Sequence, residues 1–246
     1  MIELRGGFQT TDPRLDRLPE LDERSRNFPA RALFAAAPLR GRTWPLKVRL
    51  NQFREGACTG FARAHDLAAQ PFVYKGATEE FAKSLYKLAQ TMDEWEGEGY
   101  EGSSVLGALK AAQSLGFIGE YRWAFGIDDV IASLCQLGPV VIGSDWTDTM
   151  WATKPNGLLE VGGNAIGGHS YIARGAVLSA SGIRRYLGKG EPIREQDALV
   201  IGTNSWGSGW GRSGDFRMWA SDLENLLKGI EQPGEAAVTT TAFKKA

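Results

Sequence analysis

The sequence predicts an α+β protein of two lobes, the first helical and the second strand-rich, with a cleft between them. Two observations carry this. Up to about residue 137 the apolar residues recur with a helical stripe and capping signals, and beyond it short β-branched runs take over. Glycine and tryptophan are both frequent, at 31 and 8 of 246 residues, which suggests turns and strands around an aromatic-rich cleft. The length suits one substantial domain or two small lobes.

Residues 1–43 lack a sustained period and carry Asp12-Pro13, Leu18-Pro19, Phe28-Pro29 and Ala37-Pro38, so they read as an extended arm. Residues 44–246 form the domain proper, about 44–126 helical and about 127–246 strand-rich. A first helix runs from Cys58 to about Ala69. A second, about Thr78 to Met92, carries Phe81, Leu85, Leu88 and Met92 as its stripe, with Glu79 and Glu80 at its positive end. A third starts at Ser103 or Ser104 and stops at Gly116, and a fourth spans Asp128 to Leu137. Val140-Val141-Ile142, Ser170 to Leu178 and Ala198 to Thr203 read as strands. A last helix begins at Ser221, with Glu224 completing a capping box and Gly229 stopping it. The charged stretch Gly182 to Gln196 reads as a solvated hairpin or loop, and the acidic run Asp93 to Glu98 as a solvated loop.

The formal net charge of -1 points to neither a nucleic-acid nor a membrane partner. No apolar h-region opens the chain, and its apolar runs are too short to span a bilayer. Two cysteines, Cys58 and Cys135, make a disulfide framework improbable and suit a reducing compartment. The segment around Gly188-Lys189 fails as a phosphate loop because Gly190 follows where Ser or Thr should stand. Two histidines and two cysteines at these distances are too few for a zinc site.

Chemistry concentrates in three places. The run Asn204-Ser205-Trp206-Gly207-Ser208-Gly209-Trp210-Gly211 follows an apolar strand, so an amide is delivered at a strand end under an aromatic lid. Cys58 opens a helix after the small-residue approach Gly56-Ala57, where backbone N–H groups and the helix dipole favour a thiolate. Gln52, six residues earlier, sits across a turn and can swing its amide beside the sulfur to stabilise an oxyanion together with the Cys58 N–H. His169 follows the turn Gly162-Gly163-Asn164-Ala165-Ile166-Gly167-Gly168 and opens an apolar strand. The other histidine, His65, lies about two helical turns beyond Cys58 and reads as structural. Cys135, on an amphipathic helix, reads as core.

These segments resemble those of papain-like cysteine peptidases, in particular compact bacterial or phage types. The Asn-Ser-Trp-Gly run, the Gln-to-Cys spacing and the order Cys58, His169, Asn204 carry the resemblance. Glu55 stands where the family usually has a disulfide-forming cysteine, Thr59 where it usually has tryptophan, and Ser170 where a small apolar residue follows the histidine. The resemblance implies a papain-like two-lobe fold, a helical N-terminal lobe and an antiparallel β-barrel-like C-terminal lobe, with the active site in the cleft. It implies peptide-bond hydrolysis in which Cys58 attacks, His169 transfers protons, Asn204 orients the imidazole and Gln52 serves the oxyanion hole, with no cofactor or metal. Gly102 and Ser103 would pair with substrate backbone, Trp146 would wall a subsite and Trp206 would shield the His169–Asn204 bond.

The substrate would be a peptide or protein, and the setting cytoplasmic. Two rivals stand beside this reading: an amidase or isopeptidase acting on cell-wall or other non-protein amides, and a catalytically inactive structural or binding protein. Inhibitory pro-regions of papain relatives are longer and more helical than residues 1–43, so a wrapped arm is expected instead. The interval from His169 to Asn204 is longer than the resemblance implies, and a protruding hairpin at Gly182 to Gln196 would absorb it.

Overall fold

The computed structural model describes residues 1–95 and 102–240. The arm contributes β1 (Ile2–Glu3) paired with β2 (Gln9–Thr10), and β3 (Arg42–Thr43). Three helices follow: α1 (Cys58–Ala68), α2 (Glu79–Ala89) and α3 (Val105–Ser114). Then come β4 (Tyr121–Trp123), α4 (Ile127–Gln136), β5 (Val140–Thr147), β6 (Ala165–Val177), α5 (Ala180–Leu187), β7 (Leu199–Thr203), β8 (Asp215–Trp219), α6 (Ala220–Lys228) and β9 (Glu235–Thr239).

The helix ends follow their capping chemistry. Thr78 accepts the Phe81 N–H at α2, and Ser104 accepts the Gly107 N–H at α3. Gly116, just beyond α3, has φ +75°, and Gly229, at the end of α6, has φ +90°. The capping box expected at Ser221 does not form. The chain passes from β8 straight into α6, one residue early, and Ser221 turns instead to Asp197, donating both its N–H and its hydroxyl.

One sheet orders its strands β4-β9-β5-β6-β7-β8, all neighbours antiparallel, with β3 added against β6. Alternation along β5 divides the core. Val140 and Ile142 pack with Tyr171, Leu226 and Val238 on one face, whereas Val141 packs with Ile172, Phe61, Leu85 and Leu109 on the other. Helices α1, α2 and α3 therefore cover one face of the central strands. Helices α4 and α6 cover the other. The edge strand β4 comes from the first half of the chain, so that half is not purely helical.

The segment expected to be a solvated hairpin or loop, Gly182 to Gln196, starts inside α5 and continues beyond Leu187 as a loop. Ser179 caps the first turn of α5, and Ile183 and Leu187 pack on Leu199, Ile201 and Trp219. An amphipathic stripe hidden among charges was sufficient for a helix. The connection still returns β7 alongside β6, with Ile172 opposite Thr203.

The arm wraps the domain and then enters the cleft. Arg5 is buried and bonds Asp93, Gln90 and Trp95. Asp93 is thus an anchor for the arm rather than part of a solvated loop, and Glu96 to Glu98 lie outside the described residues. Residues 16–18 add as an extended segment between two backbone edges. Arg17 N–H donates to Gly168 O at 3.0 Å, and Leu18 N–H donates to Ser103 O at 2.9 Å. No helix of the described residues is long and apolar enough to cross a membrane.

Candidate active site

His169 lies on β6 opposite Ser144 of β5, and Asn204 follows β7 directly. The pairing of β6 with β7 brings them together, and His169 Nε2 lies 2.8 Å from Asn204 Oδ1. The amide oxygen can only accept, so Nε2 carries the proton of this bond. The same oxygen accepts the Ser205 N–H at 2.7 Å, which fixes the amide. His169 Nδ1 is turned to the arm, 3.2 Å from the Arg14 carbonyl.

Both histidine neighbours are acceptors and favour its cation, but complete burial outweighs them and holds the imidazole pKa down to about 4. The other histidine, His65, is buried and structural. Its Nε2 accepts the Leu50 N–H at 3.0 Å, and burial, with Arg49 and Arg174 nearby, lowers its pKa to about 3.

Cys58 begins α1 and is fully buried. Ala57 supplies no side-chain cap. The arm supplies one: Asp16 Oδ1 accepts the Cys58 N–H at 3.2 Å, so a carboxylate occupies the positive end of the helix. Tyr86 Oη holds the other Asp16 oxygen at 2.6 Å and accepts the Gly102 N–H at 2.7 Å. The thiol is consequently the reverse of what the helix dipole alone leads one to expect. Burial pushes its pKa well up, and the Asp16 charge adds to the rise, against the Ser170 backbone, which pulls it down.

Gln52 Nε2 donates to Glu55 O at 2.8 Å and to Arg14 O at 3.3 Å. One arm carbonyl, that of Arg14, therefore sits between the Gln52 amide and His169 Nδ1. Two residues on, an arm carboxylate takes the Cys58 N–H. Gln52, Cys58 and His169 thus all contact one short stretch of the arm, residues 14–16, and Asn204 backs His169.

Gly102 and Ser103 line the same stretch, for Ser103 pairs with Arg17 and donates its N–H to Asp16 O at 3.3 Å. Gly168 admits the arm by lacking a side chain, since a Cβ there would lie 2.1 Å from Arg17 O. Trp206 stacks on Trp151 with centroids 5.4 Å apart, and the Arg14 guanidinium rests 4.7 Å from the Trp206 ring centre.

Trp146 does not wall an open subsite. It is fully buried, packed edge-on against His169 at 4.8 Å and against Trp206 at 5.3 Å, and so holds the imidazole from behind. Its place on β5, all of whose residues are buried, explains this. Sequence reasoning missed Asp16, Arg17 and Glu235. Nothing periodic marks the first two, and Glu235 reads locally as an ordinary strand-edge acid. Among the described residues no cluster of His, Cys, Asp and Glu is arranged to hold a metal ion.

The sequence matches no protein-family model and no curated protein. Solved structures, by contrast, are similar over most of the chain. Xylellain, a cysteine protease from Xylella fastidiosa, superposes with a TM-score of 0.54 at 18% identity, covering 96% of this chain and 98% of its own. The bromelain protease of Ananas comosus gives 0.53 at 16%, covering 79% and 94%. A procathepsin B from Trypanosoma congolense gives 0.56 at 12%, covering 94% and 83%. The chain has the α+β fold of papain-like cysteine proteases.

Proposed function

We propose that the chain is a cysteine peptidase in a closed state, its cleft filled by its own N-terminal arm. One observation carries the reading. The Arg14 carbonyl lies where a scissile carbonyl would be handled, between the Gln52 amide and His169 Nδ1, with the Cys58 N–H engaged by Asp16 alongside. A site that grips a peptide segment with these three groups is suited to acting on one.

In the open state the Cys58 thiol gives its proton to His169 Nδ1, and the sulfur attacks the substrate carbonyl carbon. The developing oxyanion receives the Gln52 amide and the Cys58 N–H. Nε2–H stays on Asn204 Oδ1, so the imidazolium keeps its tautomer and orientation, as the third member of a triad does. His169 then protonates the leaving amine, and a water activated by the same ring hydrolyses the thioester. The substrate is a peptide or protein. Because the thiol is fully buried in the closed state, turnover requires residues 14–18 to leave the cleft.

Hydrolysis of a mixed peptide pool tests this, with the full chain, its Cys58→Ala variant and its Asn204→Ala variant compared. We expect no turnover from the first variant and a strongly reduced rate from the second, with native circular dichroism in both. A Cys58→Ala protein that still cleaves peptides would overturn the proposal.

A further inference from the structure

A charged cluster that the reaction scheme does not use begins one residue from Asn204. Thr203 is fully buried and donates its hydroxyl to Asp215 Oδ1 at 2.6 Å. The two residues stand directly opposite one another in the β7–β8 ladder. The other carboxylate oxygen, Oδ2, accepts from Arg49 Nη2 at 3.0 Å and from Arg174 Nη2. Arg174 is buried. Its Nε donates to the Thr203 hydroxyl at 2.9 Å and its Nη1 to the Trp44 carbonyl at 3.2 Å, so each of its nitrogens is engaged.

Each member comes from a segment that carries a group of the site. Thr203 precedes Asn204, Arg174 follows His169 on β6, and Arg49 leads into Gln52. Asp215 follows Gly214, whose carbonyl accepts the Asn204 N–H at 3.0 Å. Leu50, beside Arg49, gives its N–H to His65 of α1, the helix that starts at Cys58.

Two backbone irregularities make the cluster possible. The β6–β7 register shifts between Ala173 and Gly175, so Arg174 sits where β6 bulges, and a bulge re-aims a side chain. Gly214 has φ +86°, and a Cβ there would lie 2.6 Å from Arg49 Cδ, so the glycine lets Arg49 pass. A buried ion cluster generally adds little stability over apolar packing of the same volume. What this one supplies is direction: donors from three segments meet one carboxylate.

We propose that Asp215 is a positioning residue for the reaction. Through Thr203 it holds the end of β7, and with it the Asn204 amide, within reach of His169 Nε2. Arg49 and Arg174 fix the carboxylate in turn. This rests on the peptidase reading above. Asp215 touches no reacting atom and acts through Asn204.

The test uses the full-length Asp16→Ala chain, whose arm is loosened. It reads kcat and KM on the best-cleaved peptide of a mixed pool, and the rate at which an epoxysuccinyl inhibitor captures Cys58. Adding Asp215→Asn should lower kcat roughly tenfold and slow capture, with KM changed less than about twofold. Thr203→Val, which keeps the shape and removes the hydroxyl, should do the same, whereas Thr203→Ser should keep the parent values. This pair covers the case in which Asp215→Asn fails to fold. In a chain that also carries Asn204→Ala, neither Asp215→Asn nor Thr203→Val should slow capture more than about twofold, because the amide they position is gone. A merely structural role would slow both backgrounds equally. A folded Asp215→Asn or Thr203→Val chain with kcat unchanged, or equal losses with and without Asn204, overturns the role and leaves the peptidase reading intact. An Asp16→Ala chain that neither cleaves peptides nor is captured at Cys58 overturns the peptidase reading, and the role of Asp215 falls with it.

Discussion

Asp16 Oδ1 accepts the backbone N–H of Cys58 at 3.2 Å, so the donor that would serve an oxyanion instead holds a carboxylate from the same chain. A negative charge beside a buried sulfur opposes thiolate formation, and the thiol pKa is driven well up. Replacing Asp16 with alanine removes that charge and the arm's cap on α1. Alkylation of Cys58 by iodoacetamide at pH 7.5 should then be at least tenfold faster than in the parent chain, with Cys135 unchanged as an internal reference. Equal rates at Cys58 in the two proteins would show that Asp16 does not hold the thiol in check.

Tyr86 is the anchor behind Asp16. Its hydroxyl donates to Asp16 Oδ2 at 2.6 Å in a buried setting. Hydrogen bonds to charged groups contribute about 1.5–3 kcal/mol. Tyr86→Phe should therefore loosen the arm, measured as faster tryptic cleavage within residues 1–43 while residues 44–240 stay protected. Unchanged protection of the arm would contradict the anchor.

Gln52 reaches Arg14 O without forming part of the apolar core. Loss of one oxyanion donor lowers kcat by roughly 10²–10³ in well-studied cases. In the arm-loosened Asp16→Ala background, Gln52→Ala should lower kcat on that scale, with KM little changed. A variant that raises KM alone would assign Gln52 to binding instead.

Both histidines are buried, with pKa values of about 3 for His65 and about 4 for His169, mainly through desolvation. In the unfolded chain they titrate near 6.5. Between these values the unfolded state binds protons that the folded state does not, so stability is complete above about 6.5 and lost as pH falls towards 3. The urea midpoint of the full chain should fall as pH drops from 7 to 4. His65→Gln keeps an acceptor for the Leu50 N–H but cannot titrate, and it should flatten that fall. An identical pH dependence in the variant would exclude His65 as a source.

The helices and strands were largely legible because their signals are local: a stripe at Phe81, Leu85 and Leu88, caps at Thr78 and Ser104, a β-branched run at Val140 to Ile142. The pairing of His169 with Asn204 was legible in part: Asn204 follows β7 as expected, but His169 lies inside β6, which already starts at Ala165 within the glycine-rich stretch expected to be a turn. What escaped was long-range. The arm has no period, and its route is set by contacts such as Arg17 with Glu235 and Asp16 with Tyr86, which join distant parts of the chain. The high thiol pKa follows from that route and not from the helix start. Trp146 was misread for the same reason: its burial depends on Trp206 and His169 closing over β5.

The central claim is that Cys58 is a nucleophile served by His169 and Asn204. Covalent capture tests it most directly: the full-length Asp16→Ala chain is treated with an epoxysuccinyl peptide inhibitor and read by intact and peptide mass spectrometry. The account predicts one adduct per chain, on Cys58, formed much more slowly in Asn204→Ala and not formed in Cys58→Ala. Adducts spread equally and slowly over Cys58 and Cys135, or an Asn204→Ala chain captured as fast as its parent, would contradict it.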